Sequence, residues 1–350
     1  MRQSLKVGVY LLFLLGLAVG CYRHPAPDEF DRYIYEAIVR GKSQPIETVY
    51  EIVRHENKRT EASSNLETPE LLREFEPLWA IRPLYIDAVW LLSRVAPIQS
   101  AINFISAASF FGIGVVVVCW TSAPLQSALL MAFYPVLLLG RYGTPDSLAA
   151  LLLILALWLI SESIFLQPAI AILFVSLGVR TDNLLLLLAV VGWLVWERKI
   201  SRVTAALLAM LAIGVVLAIN HWASNYGWAA LFRLSLIGGR HPAQMPHAIS
   251  LYEYTGALFR GAATILPHVT IWLLLAITAY WRASLRPILV VVGIAVAVHF
   301  LLYPSGDDRY LMSACIVGAV AFIRSFDQQG SSIRGTVPVA NGDAISAGAS

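Results

Sequence analysis

Charge is scarce in this sequence: only 13% of its 350 residues are Asp, Glu, Lys or Arg, whereas 58% are hydrophobic. A soluble domain carries about 25% charged residues, so the chain lacks the polar surface to cover a water-exposed globule. Cysteine is nearly absent. Cys21, Cys119 and Cys315 have no metal-ligand spacing, which leaves no zinc-type framework, and Cys119 and Cys315 sit in apolar runs as small core residues. There is no Gly-rich phosphate loop of the nucleotide-binding kind and no internal repeat. The net charge of +3 gives no electrostatic footing for nucleic acid.

What the sequence has is long apolar runs. A bilayer crossing needs about 20 apolar residues. The pattern predicts spans near 5–22, 98–120, 124–140, 145–161, 166–179, 182–196, 203–222, 262–281, 287–303 and 309–325. The expected fold is all-α: a polytopic transmembrane bundle of about ten helices, with the lipid bilayer as its partner. Ten Trp and fourteen Tyr suit two membrane interfaces. The basic, apolar, small-residue start up to Cys21 also has the form of a signal peptide, but an uncleaved first helix fits better with nine further spans.

Short basic loops orient the bundle. Arg198, Lys199 and Arg202 fall in one turn, and Arg282 and Arg286 in another, on the side that also receives both termini. Such loops are cytoplasmic, which places the chain in the inner (plasma) membrane. The opposite side receives loop 23–97, which holds 13 of the 22 acidic residues. Within it, 46–76 reads as amphipathic helix punctuated by prolines, and 83–95 as a helix lying at the interface. Loop 223–261 reads as a mobile substrate-gating segment, the plainer alternative being a polar connection with an interfacial helix at 225–237. The organisation expected is therefore a membrane domain over 1–326 and a disordered tail over 327–350.

Four polar stretches interrupt this apolar background. Residues 27–41 (PDEFDRYIYEAIVRG) carry Asp28, Glu29 and Asp31, and helical spacing puts Asp28, Asp31 and Tyr35 on one face. Residues 140–159 open with Arg141, Thr144, Pro145 and Asp146. Residues 178–188 carry Arg180, Thr181 and Asp182. Residues 303–312 carry Asp307, Asp308, Arg309 and Tyr310. Taken singly, each is a helix cap: Thr and Asp satisfy first-turn amides, and acids suit the positive helix end. Capping does not explain why all four emerge on one side. Carboxylates there can act as general bases, and arginine forks suit phosphate. Loop 223–261 adds Arg240, with His241 and His247 at a spacing that is not a metal signature.

In order and placement, these motifs resemble the GT-C superfamily of membrane glycosyltransferases, of the dolichyl-phosphate-mannose mannosyltransferase type. The likeness rests on the acidic first-loop stretch, TPDSLAALLLILALWL, VRTDNLLLLL (Thr181 standing where Pro is usual) and DDRYLM. The resemblance implies an enzyme that transfers a sugar from a polyprenyl-phosphate donor on the outer face. It implies Asp28, Asp31 or Glu29 as catalytic base. Tyr33, Tyr35, Arg141, Asp146, Arg180, Asp182, Arg240, Asp308, Arg309 and Tyr310 would form the binding set. No cofactor is required by the pattern, although some divalent metal fits such chemistry. The competing classes are a transporter or flippase of a lipid-linked or anionic solute, which calls for midplane charges and inverted repeats, and a non-catalytic scaffold on the same fold.

Overall fold

The computed structural model describes residues 2–26, 30–56, 67–162, 165–246, 248–282, 285–307, 309 and 311–334. They form helices α1 (Arg2–Arg23), α2 (Phe30–Gly41), α3 (Ile46–Glu56), α4 (Pro69–Trp79), α5 (Pro83–Leu92), α6 (Ile98–Thr121), α7 (Pro124–Ala132) and α8 (Tyr134–Arg141). There follow α9 (Asp146–Ser161), α10 (Leu166–Val179), α11 (Leu184–Trp196), α12 (Arg202–Trp222), α13 (Trp228–Phe232), α14 (Leu251–Arg282), α15 (Arg286–Leu302) and α16 (Met312–Arg334). No strand occurs among the described residues.

By length and composition, α1, α6, α12 and α14 can each cross a membrane, and the bent pair α7–α8 makes a fifth crossing if counted as one. Residues 124–140, expected as one straight span, are instead broken at Phe133, with a 69° bend. Pro135 is the cause, because it has no N–H to continue the ladder and its ring crowds the preceding turn. Two other boundaries move. α14 begins at Leu251, inside the expected loop, and α16 runs to Arg334, past the expected domain end at 326.

Two cores form. In the bundle core, α6 is central and packs against α1, α5, α7, α8 and α9, while α16 joins α14 to α9. Helix α1 belongs to this core, with Tyr10, Leu14, Ala18 and Cys21 buried and Tyr10 donating to the Gly114 carbonyl at 2.7 Å. Between helices in lipid, small residues at close contacts matter more than apolar area. At Gly140, for example, a Cβ would lie 2.9 Å from Phe110.

The second core belongs to loop 23–97. Amphipathic α2, α3 and α4 fold over α5, burying Ile34, Tyr35, Val49, Leu72, Phe75 and Tyr85 against Ile102 of α6 and Val179 of α10. Thr68 caps α4 by accepting from Leu71 N–H, and Pro69 occupies the first turn. Glu36, fully buried, is satisfied by Arg40 one turn later at 2.6 Å. This small helical cap sits over one end of the bundle, and the polar stretches meet between the two cores.

Candidate functional site

The site grows from helix starts. Asp31 lies in the first turn of α2. One carboxylate oxygen accepts from the Trp79 indole N–H at 2.9 Å, and the other from Arg309 Nη2 at 2.8 Å. Trp79 is the last residue of α4, and its ring packs edge-on against Phe30 and Phe75. Asp31 is thus held in place by a rigid aromatic group and by a cation 278 residues away in sequence.

A second layer lies deeper. Arg180 has extended backbone between α10 and the short turn 181–183. Its Nη1 donates to Asp146 Oδ1. Its Nε and Nη2 grip Asp182 in a fork, at 3.0 and 2.5 Å. Asp146, at the start of α9, also accepts from the Thr144 hydroxyl at 2.7 Å. Arg309 Nε stands 3.9 Å from Asp146 and 2.6 Å from Asp307. Two guanidiniums therefore string four aspartates together, in the order Asp182, Arg180, Asp146, Arg309, with Asp31 and Asp307 at the far end. His299 Nδ1 approaches Asp182 at 3.6 Å.

Such an assembly contributes little net stability. Desolvation offsets most of the attraction in a buried ion pair, yet removing one partner is severe. Buried charge held at this cost makes the network a candidate functional site.

Above the network opens a cavity of about 720 Å³, within the roughly 300–1,000 Å³ range of small-molecule sites. Asp31, Arg82, Arg180, Asp182, Asp307 and Arg309 form its polar wall. Leu184, Leu185, Leu231, Leu234 and Leu302 form an apolar one, and Trp79, Trp228 and Tyr303 stand between. Segment 228–244 roofs it. That segment is tied down by Arg233 to Glu253 at 2.7 Å and by Trp228 Nε1 to the Leu302 carbonyl at 2.8 Å. Glu253 is itself fixed by the Ser250 N–H, by Arg233 and by the Ser250 hydroxyl, which together hold its carboxyl at about 2. Elsewhere along α14, Gly261 lets Pro304 lie close against the helix. A Cβ there would meet the Pro304 carbonyl oxygen and stand 2.8 Å from its carbon.

The expected residues divide into groups. Asp31, Asp146, Arg180, Asp182 and Arg309 converge. Arg240 reaches the cavity rim, mostly exposed, 3.1 Å from Glu67. Arg141 does not line the cavity: its Nε donates to the His24 carbonyl at 2.7 Å, tying the end of α8 to the end of α1. Tyr33 and Tyr35 also miss the cavity and are buried in the second core. Tyr35 stacks edge-on with Tyr85 at 5.0 Å, and burial pushes its phenol well above the usual range, so it stays neutral. Asp28, Glu29, Asp308 and Tyr310 lie outside the described residues, as does His247. The capping explanation for 144–146 also changes. Thr144 donates to the Asp146 carboxylate instead of accepting from the backbone, and that carboxylate pairs with Arg180.

Several site residues were not singled out from sequence. Trp79 is one residue in an amphipathic helix, and only its indole N–H distinguishes it from core. Arg82 lines the cavity and forms no ion pair among the described residues, although its Nη1 donates to the Leu78 carbonyl at 3.3 Å. An arginine directly before Pro83 reads as a helix boundary and nothing more. His299 and Tyr303 read as helix-end residues. The SLYE stretch at 250–253 is a capping box that the sequence does display: Ser250 and Glu253 satisfy each other's amides.

Among the described residues, no three His, Cys, Asp or Glu side chains converge as metal ligands. Compared with family models, curated proteins and solved structures, the chain finds no match in any of the three.

Proposed function

We propose that this protein is an integral membrane glycosyltransferase, moving a sugar from a polyprenyl-phosphate-linked donor to a lipid, glycan or protein acceptor on the extracytoplasmic face. The observation that carries this reading is the two-sided cavity: an aspartate fixed by Arg309 and Trp79 faces arginines on one wall and leucines on the other. A donor with an anionic head and an isoprenoid tail has the same two-sided chemistry. In this reading the short apolar helices α9, α10, α11, α15 and α16 complete about ten crossings beside the long ones. Both termini then lie in the cytoplasm of an inner-membrane protein.

The reaction follows from the placement of charge. Each carboxylate oxygen has two lone pairs, so Asp31 can hold Trp79 and Arg309 and still accept a proton from the acceptor hydroxyl. The acceptor oxygen attacks the anomeric carbon as the bond from that carbon to the phosphate oxygen breaks. The leaving lipid phosphate gains one negative charge. Arg82 lines the cavity with donors to spare for that phosphate, whereas Arg180 and Arg309 are taken up by Asp146, Asp182, Asp31 and Asp307 and hold them in place. Asp146 and Asp182 position Arg180; neither needs to touch the sugar. The apolar wall of Leu184, Leu185 and Leu302 receives the first isoprene units.

The test is transfer by the purified protein in lipid nanodiscs, offered a panel of polyprenyl-phosphate sugars. Activity with one donor, reduced at least about 100-fold by Asp31→Asn with thermal melting unchanged, supports the reading. Absence of transfer with every donor overturns it, as does full activity in both Asp31→Asn and the Asp28→Asn/Asp31→Asn double variant.

A further inference from the structure

A second concavity, of about 800 Å³, lies at the opposite end of α11 from the charged network. Gly192, Val195 and Trp196 of α11 form its floor and wall, and Arg198, Lys199 and Arg202 form its rim. The local sequence fixes that rim. α11 ends with Arg198 in the left-handed region (φ 57°) and with the Lys199 N–H bonded back to the Leu194 carbonyl at 2.8 Å. Such a two-part ending closes a helix tightly. Two residues later Ser201 caps α12 by accepting from Thr204 N–H at 3.0 Å. The turn is therefore short and defined, and three cations crowd one hollow.

These cations have no carboxylate partner among the described residues. Arg198, Lys199 and Arg202 are exposed, and among the described residues none forms an ion pair. Lys199 rests over the Trp193 ring at 4.9 Å. By contrast, Arg324 on the last helix is paired with Glu162. Next in sequence, the surface of α12 is apolar and uncovered. Only 6% of the apolar stretch of α12 is buried, and Val203, Leu207 and Leu211 are 70%, 58% and 58% exposed. Spacing of four residues aligns these three in one stripe running away from the cations. Trp196, 84% exposed, stands on the other side of the hollow, and nothing lies within 4 Å of where a Cβ of Gly192 would be.

We propose that this hollow binds one anionic phospholipid, its phosphodiester against Arg198, Lys199 and Arg202 and an acyl chain along Val203, Leu207 and Leu211. The combination selects the ligand class. A soluble anion has no use for the apolar stripe, and a zwitterionic lipid would bring its own ammonium to three cations. Basic pockets at the cytoplasmic ends of spanning helices suit anionic headgroups for this reason. The site is independent of the transferase reading and of the cavity at the other end of the bundle.

Native mass spectrometry of the full-length protein in detergent, with dioleoyl phosphatidylglycerol or dioleoyl phosphatidylcholine added, tests this directly. The expected result is retention of one phosphatidylglycerol in preference to phosphatidylcholine, weakened at least about tenfold in the Arg198→Gln/Lys199→Gln/Arg202→Gln variant. Equal retention of the two lipids overturns the proposal, as does undiminished retention by the variant. Displacement of the lipid by millimolar inorganic phosphate overturns it in favour of a free-anion site. A second measurement does not depend on the triple variant folding. Brominated phosphatidylglycerol in vesicles should quench tryptophan fluorescence more than brominated phosphatidylcholine does, and Trp196→Phe should remove the difference. Identical quenching by both lipids, or a difference that survives Trp196→Phe, overturns the assignment.

Discussion

At the scale of single residues, the site is a set of acids graded by how much each depends on its arginine. Asp146 is 5% exposed at its side chain and Asp182 is 32% exposed, yet both pair with Arg180. Removing the buried member leaves part of a guanidinium without its counter-charge in a dry place, whereas water can replace the exposed one. Asp146→Ala should therefore cost about 3 kcal/mol of stability, and Asp182→Ala clearly less. Denaturant unfolding in detergent micelles checks the order, and equal losses would contradict the layered arrangement. Sequence reasoning finds these acids because they interrupt apolar runs. It does not find their partners. Thr144, Pro145 and Asp146 look like a helix start and are one, but the carboxylate is turned toward Arg180, 34 residues on. Local pattern records that an acid is tolerated at a helix start and not what neutralises it.

At the scale of elements, one of the ties on the roof of the cavity is an ionic clasp. Glu253 caps α14 through Ser250 and holds Arg233 of the roof segment at 2.7 and 3.0 Å. Its carboxyl sits at about 2 instead of its ordinary 4.5. A carboxyl lowered in the folded protein stabilises above its unfolded pKa, and the contribution fades as pH falls toward the folded one. The clasp should thus be intact at neutral pH and weaken between about 4.5 and 2. Glu253→Gln should lower the melting temperature at pH 7, with the gap to wild type closing across that acid window. A gap that stays constant with pH would show that the carboxylate is not what holds the roof. Elements differed in how plainly the sequence announced them. The long apolar helices α1, α6 and α12 were legible from hydropathy alone. The break at Phe133 was also available, since Pro135 sits in mid-run. The early start of α14 at Leu251 was hidden because Tyr252, Glu253 and Tyr254 look like loop, although the SLYE capping box marks the boundary.

For the molecule as a whole, the two ends of the bundle differ in kind. α9, α11 and α16 all begin near the aspartate–arginine network, and the end of α9 meets the middle of α16 through Glu162 and Arg324 at 2.7 Å. α11, at 13 residues, spans about 20 Å between the network and the basic hollow. Cysteines placed at exposed Ser43 and Glu197, in a chain whose Cys21, Cys119 and Cys315 are replaced, should report opposite sides of a membrane. In intact cells a membrane-impermeant maleimide should label Ser43→Cys, and it should label Glu197→Cys only after permeabilisation. The reverse pattern would invert the orientation read from the basic turns. This sidedness is proposed from the sequence alone, because charge placement in loops follows from the bilayer and needs no tertiary contact. The cavity between the two cores was not legible, because it depends on how the helices of the first loop fold back over the bundle.

The pairing of Arg309 with Asp31 also has a consequence in time. The acid is made early and its partner 278 residues later. At roughly 5–20 residues per second, about 14 to 56 seconds of synthesis separate the two. Throughout that interval the nascent chain carries Asp31 without the Arg309 that holds it. A chain interrupted before residue 309 can hold the buried Asp146–Arg180 pair and still leave Asp31 without its guanidinium. The charged network is therefore completed only near the end of synthesis.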